Sequence, residues 1–319
     1  MRILITGANG CIGQYISEAL IQETDHELFL LVRDPSRLHL DPYQRSGVNV
    51  VQADLMDLTP LEPLLPTFDV AILTATAWGG SNVFAINYEQ TCQLLRQLDP
   101  QRCQRVFYFS TASILNQQMQ PLPEAGTLGT DYIRSKYECL HAIEQLPVAD
   151  RLIELFPTMV FGGGPDGKRP SFITAGMGEV LKWLWLARFF RAEASFHFIH
   201  ARDIAQVVLY LLQHPEYPVP RRVALGNPPM TVNEMLAQLC AAAKLHIYGQ
   251  IPLTLPLVNF LVRVFRVQMS PWDYFCLQYR NFTYETVLNP QALGLTPYCG
   301  TVADLLRCSL GTADPSTNS

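Results

Sequence analysis

No long basic run occurs in this 319-residue chain, and its formal net charge is -5. Nucleic acid is therefore not expected as a partner, because such binding rests on a basic footprint. None of the eight cysteines (Cys11, Cys92, Cys103, Cys139, Cys240, Cys276, Cys299 and Cys308) forms a C-x-x-C pair. They read as buried or incidental thiols of a reducing compartment, and no metal site is expected. Nor is a signal peptide expected: Met1-Arg2 leads straight into Ile3-Leu4-Ile5-Thr6 and then glycines, the pattern of a first strand. A cytoplasmic location is the expectation, with membrane association left open. The apolar stretch Ile251–Val267 is broken by Pro252, Pro256, Arg263 and Arg266. A spanning helix needs about 20 predominantly apolar residues, so this stretch is a poor transmembrane candidate.

Apolar material is plentiful. Hydrophobic residues make up 49% of the chain, ample for one large α/β domain with a smaller second lobe. Strand-length apolar runs fall at Arg2–Thr6, Glu27–Val32, Val48–Gln52, Asp69–Leu73, Arg105–Ser110 and Leu152–Phe156. Helical spacing appears at Cys11–Ile21, Val83–Leu98 and Thr130–Gln145. Strands alternating with helices at this pace predict a doubly wound parallel sheet. The runs are continuous rather than alternating, as strands covered on both faces should be. After Phe156 the pattern changes. Phe161–Pro170 is rich in Gly and Pro and reads as loop. Phe172–Phe190, Leu255–Val267 and Val302–Leu310 read as helices, and Phe196–His200 and Arg222–Leu225 as late strands returning to the sheet. The expected division is 1–160 for the first domain, 161–311 for a mainly helical lobe, and 312–319 for a disordered tail.

The first strand ends in Thr6-Gly7-Ala8-Asn9-Gly10-Cys11-Ile12-Gly13. Gly7 allows a tight turn, Gly10 lets backbone N–H groups approach a pyrophosphate, and Gly13 lets helix and strand pack together. The strand before and the helix after supply the context this motif requires, although a turn that holds no ligand has the same outline. The second strand ends in Arg33-Asp34, with Arg37 close behind. An acid near this position binds ribose hydroxyls, and an arginine accommodates a 2′-phosphate. Arg33 and Arg37 point to NADP(H). Asp34 keeps NAD(H) as the alternative, and both arginines also suit a solvated loop. Asp54-Leu55 follows the third strand, where it either meets the adenine or caps a helix.

Tyr132 and Lys136 stand at i and i+4, on one helical face. A free tyrosine, with a pKa of about 10, is a poor base near neutrality. A nearby ammonium favours the phenolate. Tyr132 then exchanges a proton with a carbonyl or alcohol oxygen, while Lys136 also reaches the nicotinamide ribose. The fifth strand ends in Ser110-Thr111-Ala112-Ser113. Thr111 is the chosen hydroxyl for holding the substrate oxygen against Tyr132. Ser110 and Ser113 compete with it, and simple strand-end capping is the plainer reading.

Together these motifs resemble the extended short-chain dehydrogenases/reductases of the NAD-dependent epimerase/dehydratase superfamily. The resemblance rests on Thr6-Gly7-x-x-Gly10-x-x-Gly13, Asp54-Leu55, Asn87-x-x-x-Thr91, Ser110-Thr111, Tyr132-x-x-x-Lys136 and Phe198-Ile199-His200-x-x-Asp203. It implies a Rossmann domain with a small C-terminal substrate lobe. It places the catalytic trio on Thr111, Tyr132 and Lys136. The candidate cofactor contacts are Gly7, Asn9, Gly10, Cys11, Ile12, Gly13, Arg33, Arg37, Asp54, Leu55, Thr74, Ala75, Asn87, Tyr132, Lys136 and Pro157. Asn87 is usually supporting rather than chemical in that family, and His200 and Asp203 are more often structural.

Two departures bear on the substrate. Nucleotide-sugar members carry an arginine where this chain has Phe196, and an asparagine where it has Met159. The stretch Phe156–Gly162 looks more like reductases related to dihydroflavonol reductase and 3β-hydroxysteroid dehydrogenase. The lobe is apolar at Glu179–Arg191 and Ile251–Val267, which reads as lobe core, as a lipophilic pocket, or as a surface docked on membrane or protein. The leading expectation is an NADP(H)-dependent reductase or dehydrogenase acting on a lipophilic small molecule, within a cleft lined by Trp183, Trp185, Phe189, Phe190, Leu257, Phe260 and Phe265. The alternatives are a nucleotide-sugar epimerase/dehydratase using NAD, and a non-catalytic, cofactor-binding assembly subunit. The oligomeric state is left open.

Overall fold

The computed structural model describes residues 1–163, 167–266 and 268–310; the expected tail at 312–319 lies outside them. In chain order the first half comprises β1 (Arg2–Thr6), α1 (Cys11–Glu23), β2 (Glu27–Val32), β3 (Val48–Gln52), β4 (Val70–Leu73), α2 (Thr91–Gln97), β5 (Arg105–Phe109), α3 (Pro123–Thr127), α4 (Asp131–Ile143) and β6 (Leu152–Pro157). The second half comprises β7 (Met159–Phe161), α5 (Phe172–Lys182), α6 (Leu184–Ala187), β8 (Phe190–Arg191), β9 (Ser195–Phe196), β10 (Phe198–His200), α7 (Ala201–Gln213), β11 (Arg222–Leu225), β12 (Met230–Thr231) and α8 (Val232–Ala242). It ends with β13 (Ile251–Pro252), α9 (Leu255–Val264), α10 (Pro271–Tyr279), β14 (Asn281–Phe282), β15 (Val287–Leu288) and α11 (Val302–Leu310).

Eight strands form one sheet in the order β15-β11-β6-β5-β4-β1-β2-β3, and every pairing in it is parallel. This is the expected doubly wound Rossmann architecture. The inner strands are buried on both sides, β4 and β6 along their whole lengths, which accounts for their unbroken apolar sequences; the edge strand β3 is only partly covered. Residues of α2 and α4 pack on one face and those of α1 and α7 on the other. Strand order reverses between β1 and β4. The carboxyl ends there open the crevice where such sheets bind ligands.

The later elements depart from the expected pattern in two places. Phe172–Phe190 is not one helix: it breaks at Trp183, whose N–H bonds the Val180 carbonyl three residues back, and it ends in β8. Phe196–His200 does not join the main sheet. Buried His197 interrupts it, with Nδ1 2.7 Å from the Asn227 carbonyl. β9 pairs with β12 and β14, and β10 pairs with β7. β11 does join the main sheet, beside β6, and β15 extends its edge. A third apolar cluster, around Phe161, Met177, Phe198, Cys299 and Leu305, forms the core of the lobe.

Candidate functional site

The glycine turn lies at the carboxyl end of β1. Gly7 has φ +68°, and a Cβ there would fall 2.7 Å from the Ala75 backbone. A Cβ on Gly13 would fall 2.2 Å from the Gly7 carbonyl oxygen. Only glycine fits at both positions. The turn is fastened from β4: Thr74 Oγ1 donates to the Thr6 carbonyl at 2.7 Å, and the Ala75 N–H donates to Thr6 Oγ1 at 3.3 Å. A Cβ on Gly10 would meet only the Gly7 carbonyl, at 3.1 Å, and no side chain caps the first turn of α1. Close backbone approach and uncapped first-turn N–H groups are what a pyrophosphate requires, so these residues fit a dinucleotide. Within the turn, the Asn9 carbonyl accepts from Gln14 Nε2 at 2.9 Å. Ile12 packs against the core, and Cys11 lies against the backbone of Gly162. Pro157 closes β6 in register with Leu225.

At the end of β2, Asp34 turns its carboxylate inward on its own loop. Its Oδ1 accepts from the Ser36 N–H at 3.1 Å and from Ser36 Oγ at 2.6 Å, capping a short 3₁₀ turn over Pro35–Arg37. These bonds hold the Asp34 carboxyl below its ordinary pKa. Arg33 and Arg37 are exposed. Arg33 Nη1 lies 3.9 Å from Asp54 Oδ2, while Asp54 Oδ1 accepts the Met56 N–H at 3.0 Å. Leu55 lines a small gap beneath the sheet with Leu73, Ala75 and Tyr108.

Thr130 caps α4 through the Ile133 N–H, so Tyr132 stands in the first turn and Lys136 one turn further in. The Thr111 hydroxyl lies near enough to the Tyr132 phenol to favour its ionised form. Thr111 is also the N-cap of a 3₁₀ turn over Ala112–Ile114, where it accepts the Ser113 N–H. Burial pushes the Tyr132 phenol well above its ordinary pKa, and the nearby Thr111 hydroxyl pulls it partly back. Lys136 is buried, and its Nζ donates to the Phe109 carbonyl at 3.0 Å. Burial lowers its ammonium to about 8.

Asn87 plays a different part from the other candidate cofactor contacts. It lies in a π-helical turn, Ala85–Gln90, that runs into α2, a form frequent at functional sites. Its Oδ1 accepts from Thr76 Oγ1 at 3.1 Å and from the Ala77 N–H at 2.8 Å. Its Nδ2 donates to the Ala77 carbonyl at 2.8 Å and to Ser135 Oγ at 3.1 Å. The fully buried amide has protein partners at both its oxygen and its nitrogen, and it positions the loop after β4 against α4.

That loop carries a residue the sequence reading did not single out. Trp78 stacks on Tyr132, with ring centroids 4.4 Å apart and planes 19° apart. Phe172, at the start of α5, stacks beyond it at 6.3 Å. The aromatic wall beside the phenol is thus Trp78 with Phe172. Trp183, Trp185, Phe260 and Phe265, expected in a substrate cleft, are exposed on the lobe surface. A tryptophan followed by Gly79-Gly80, just past the carboxyl end of β4, was the available signal. Met159 and Phe196 both pack against the lobe core. Arg188 is turned to the His246 carbonyl, and Arg169 and Arg263 are exposed. A separate cavity of about 300 Å³ is lined by Arg191, Glu193, Pro252–Pro256 and Arg280. His200 caps α7 through the Arg202 N–H, and Asp203 accepts the N–H groups of Tyr298 and Cys299; both are structural.

The chain resembles solved structures of low identity over nearly its whole length. The protein gox2253 superposes with TM-score 0.66 at 19% identity, covering 92% of this chain and 93% of that one. A Bacillus cereus UDP-glucuronic acid 4-epimerase variant, bound to a fluorinated UDP-glucuronic acid and NAD, gives 0.65 at 15% identity, covering 98% of each chain. The Thermus thermophilus UDP-glucose 4-epimerase in complex with NAD gives 0.59 at 17% identity, covering 97% and 98%. At these identities the likeness establishes the fold. Comparison with curated protein sequences gives no significant match. The family model for the NAD dependent epimerase/dehydratase family matches residues 3–226, and the chain belongs to that family.

Proposed function

We propose that this protein is an NADP(H)-dependent reductase or dehydrogenase acting on a carbonyl or carbinol carbon in an apolar substrate. The observation that carries the reading is the Tyr132 phenol stacked on Trp78, with the Thr111 hydroxyl beside it. A bound nicotinamide supplies hydride exchange with the substrate carbon. Thr111 and Tyr132 hold the substrate oxygen between two hydroxyls. The raised phenol stays protonated at neutral pH and gives its proton to the oxygen as a carbonyl is reduced. Lys136 supplies a buried ammonium one helical turn away, positioned to release the Phe109 carbonyl for a ribose hydroxyl. Trp78 offers a flat apolar face, and Met159 and Phe196 add no charge. That arrangement suits a lipophilic ligand better than a diphosphate.

The preference for NADP(H) follows from the end of β2. Asp34 is committed to Ser36, while Arg33 and Arg37 remain exposed to meet a 2′-phosphate. NADPH should bind more tightly than NADH, and Arg33→Ala should shrink the gap by about tenfold, the size of one lost charge-assisted contact. Nicotinamide fluorescence titrations read both affinities. Equal affinities in the unmodified protein contradict the proposal.

A second reading, a nucleotide-sugar epimerase or dehydratase using NAD, has specific support. The solved relatives above include sugar-nucleotide epimerases bound to NAD, and Arg191 and Arg280 share one cavity. The family comparisons lean towards this alternative; the apolar residues at positions 159 and 196 lean the other way. Calorimetry with UDP separates them: micromolar binding lost on Arg280→Ala favours the second reading.

A further inference from the structure

Two segments of the lobe carry apolar surface that its core does not use. In the first, Val180, Trp183 and Trp185 are each more than half exposed. In the second, α9 has no buried residue, and Phe260 and Phe265 are 61% and 71% exposed. Single exposed apolar residues are ordinary; several large ones on neighbouring segments mark an interaction surface. The two segments are joined. β8 pairs with β13, placing Phe190 opposite Ile251. Gln250 Nε2 donates to the Arg188 and Phe190 carbonyls at 3.3 and 3.0 Å.

Charge indicates what covers this surface. Val180–Ala192 contains Lys182, Arg188 and Arg191 and no acid. Met235–Trp272 contains Lys244, Arg263 and Arg266 and no acid. Glu179 pairs with Lys182 at the border, while Arg191, Arg263 and Arg266 are exposed. These six bases sit in a chain whose net charge is -5. A second copy packed symmetrically here would set bases against bases. Tryptophan and phenylalanine beside arginine and lysine match the make-up of surfaces that lie in a membrane interface and meet anionic headgroups. No helix of the described residues is long and apolar enough to cross a membrane.

We propose that this aromatic, basic surface docks on an anionic lipid bilayer, with Trp183, Trp185, Phe260 and Phe265 entering the interface and Arg191, Arg263 and Arg266 meeting headgroup phosphates. The proposal stands apart from the substrate reading, because docking is measured without turnover.

The test is co-sedimentation of the full chain with vesicles of phosphatidylcholine alone and of phosphatidylcholine mixed with phosphatidylglycerol. The mixed vesicles should take up the protein about tenfold more strongly or better, and added salt should release it, as screened basic contacts require. Tryptophan emission should shift to the blue on binding. R263E with R266E, and separately W183S with W185S, should each lower partitioning by about tenfold while leaving NADPH binding unchanged. Equal binding to both vesicle types, or salt-insensitive binding, overturns the proposal. So does a rise in molecular mass without vesicles that the same substitutions abolish, which assigns the surface to self-association. The lipid and salt comparisons use the unmodified protein and stand even if a variant fails to fold.

Discussion

Tyr132 and Lys136 are four residues apart, yet they carry opposite electrostatic burdens. Burial raises the phenol and lowers the ammonium, so in the cofactor-free protein each is pushed towards its neutral form. For Tyr132 the consequence is a proton donor at neutral pH. Tyr132→Phe should reduce turnover by about 10³-fold while leaving NADPH affinity within about twofold, since the lost hydroxyl serves proton transfer. Single-turnover kinetics and fluorescence titration check the two halves. For Lys136 the consequence is a stability cost. Its folded pKa of about 8 lies below the unfolded value of about 10.4, so the folded state holds this proton less tightly. The cost is therefore full below about pH 8 and fades as pH rises through the unfolded value. Lys136→Met should raise the Tm of the cofactor-free protein at pH 7 by a few degrees, even though the Phe109 carbonyl loses its donor. It should also abolish turnover. Scanning calorimetry at pH 7 and pH 10 should show the gain shrinking at the higher pH. A lower Tm at pH 7 contradicts the argument.

The π-helical turn at Ala85–Gln90 acts as an element through Asn87, whose amide joins the Thr76–Ala77 loop to α4. That loop leads directly to Trp78, so the turn sets the height of the indole over Tyr132. Asn87→Ala leaves the Ala77 N–H and carbonyl without their partner, and should lower stability by about 3 kcal/mol. It should also broaden the Trp78 environment, read as a changed response of near-ultraviolet dichroism to NADPH. Denaturant unfolding that shows no loss of stability would remove Asn87 from this role. Sequence reading reached part of this element. Helical spacing over Val83–Leu98 and the Asn87-x-x-x-Thr91 pattern are both visible. The π turn is not, because a single i→i+5 turn set into a helix has no residue signature of its own. The Trp78–Tyr132 stack is also hidden, because it joins residues 54 positions apart, and no local periodicity records such a pairing.

Across the whole molecule, legibility follows burial. The main sheet was readable because strands covered on both faces must be continuously apolar. The glycine turn was readable because steric exclusion at Gly7 and Gly13 leaves no other residue. The lobe was not. Its apolar runs suggested core or cleft, but periodicity counts hydrophobic residues without saying what covers them, and α9 buries none of its own. The break at His197 escaped for a related reason. A buried histidine bonded to the Asn227 carbonyl reads in sequence as one polar residue within a strand. Substrate class depends on this less legible half, where Phe196 removes a charge, Met159 removes a polar amide, and Arg191 with Arg280 offers charge elsewhere. The most direct measurement of the central claim is consumption of NADPH over a panel of aliphatic and aryl ketones, run beside UDP- and dTDP-sugars, with the unmodified protein and Tyr132→Phe. The account predicts NADPH oxidation with at least one apolar ketone, lost by about 10³-fold in Tyr132→Phe, and no reaction of the sugar nucleotides. Interconversion of a sugar nucleotide with bound NAD, and no turnover of any ketone, would contradict it.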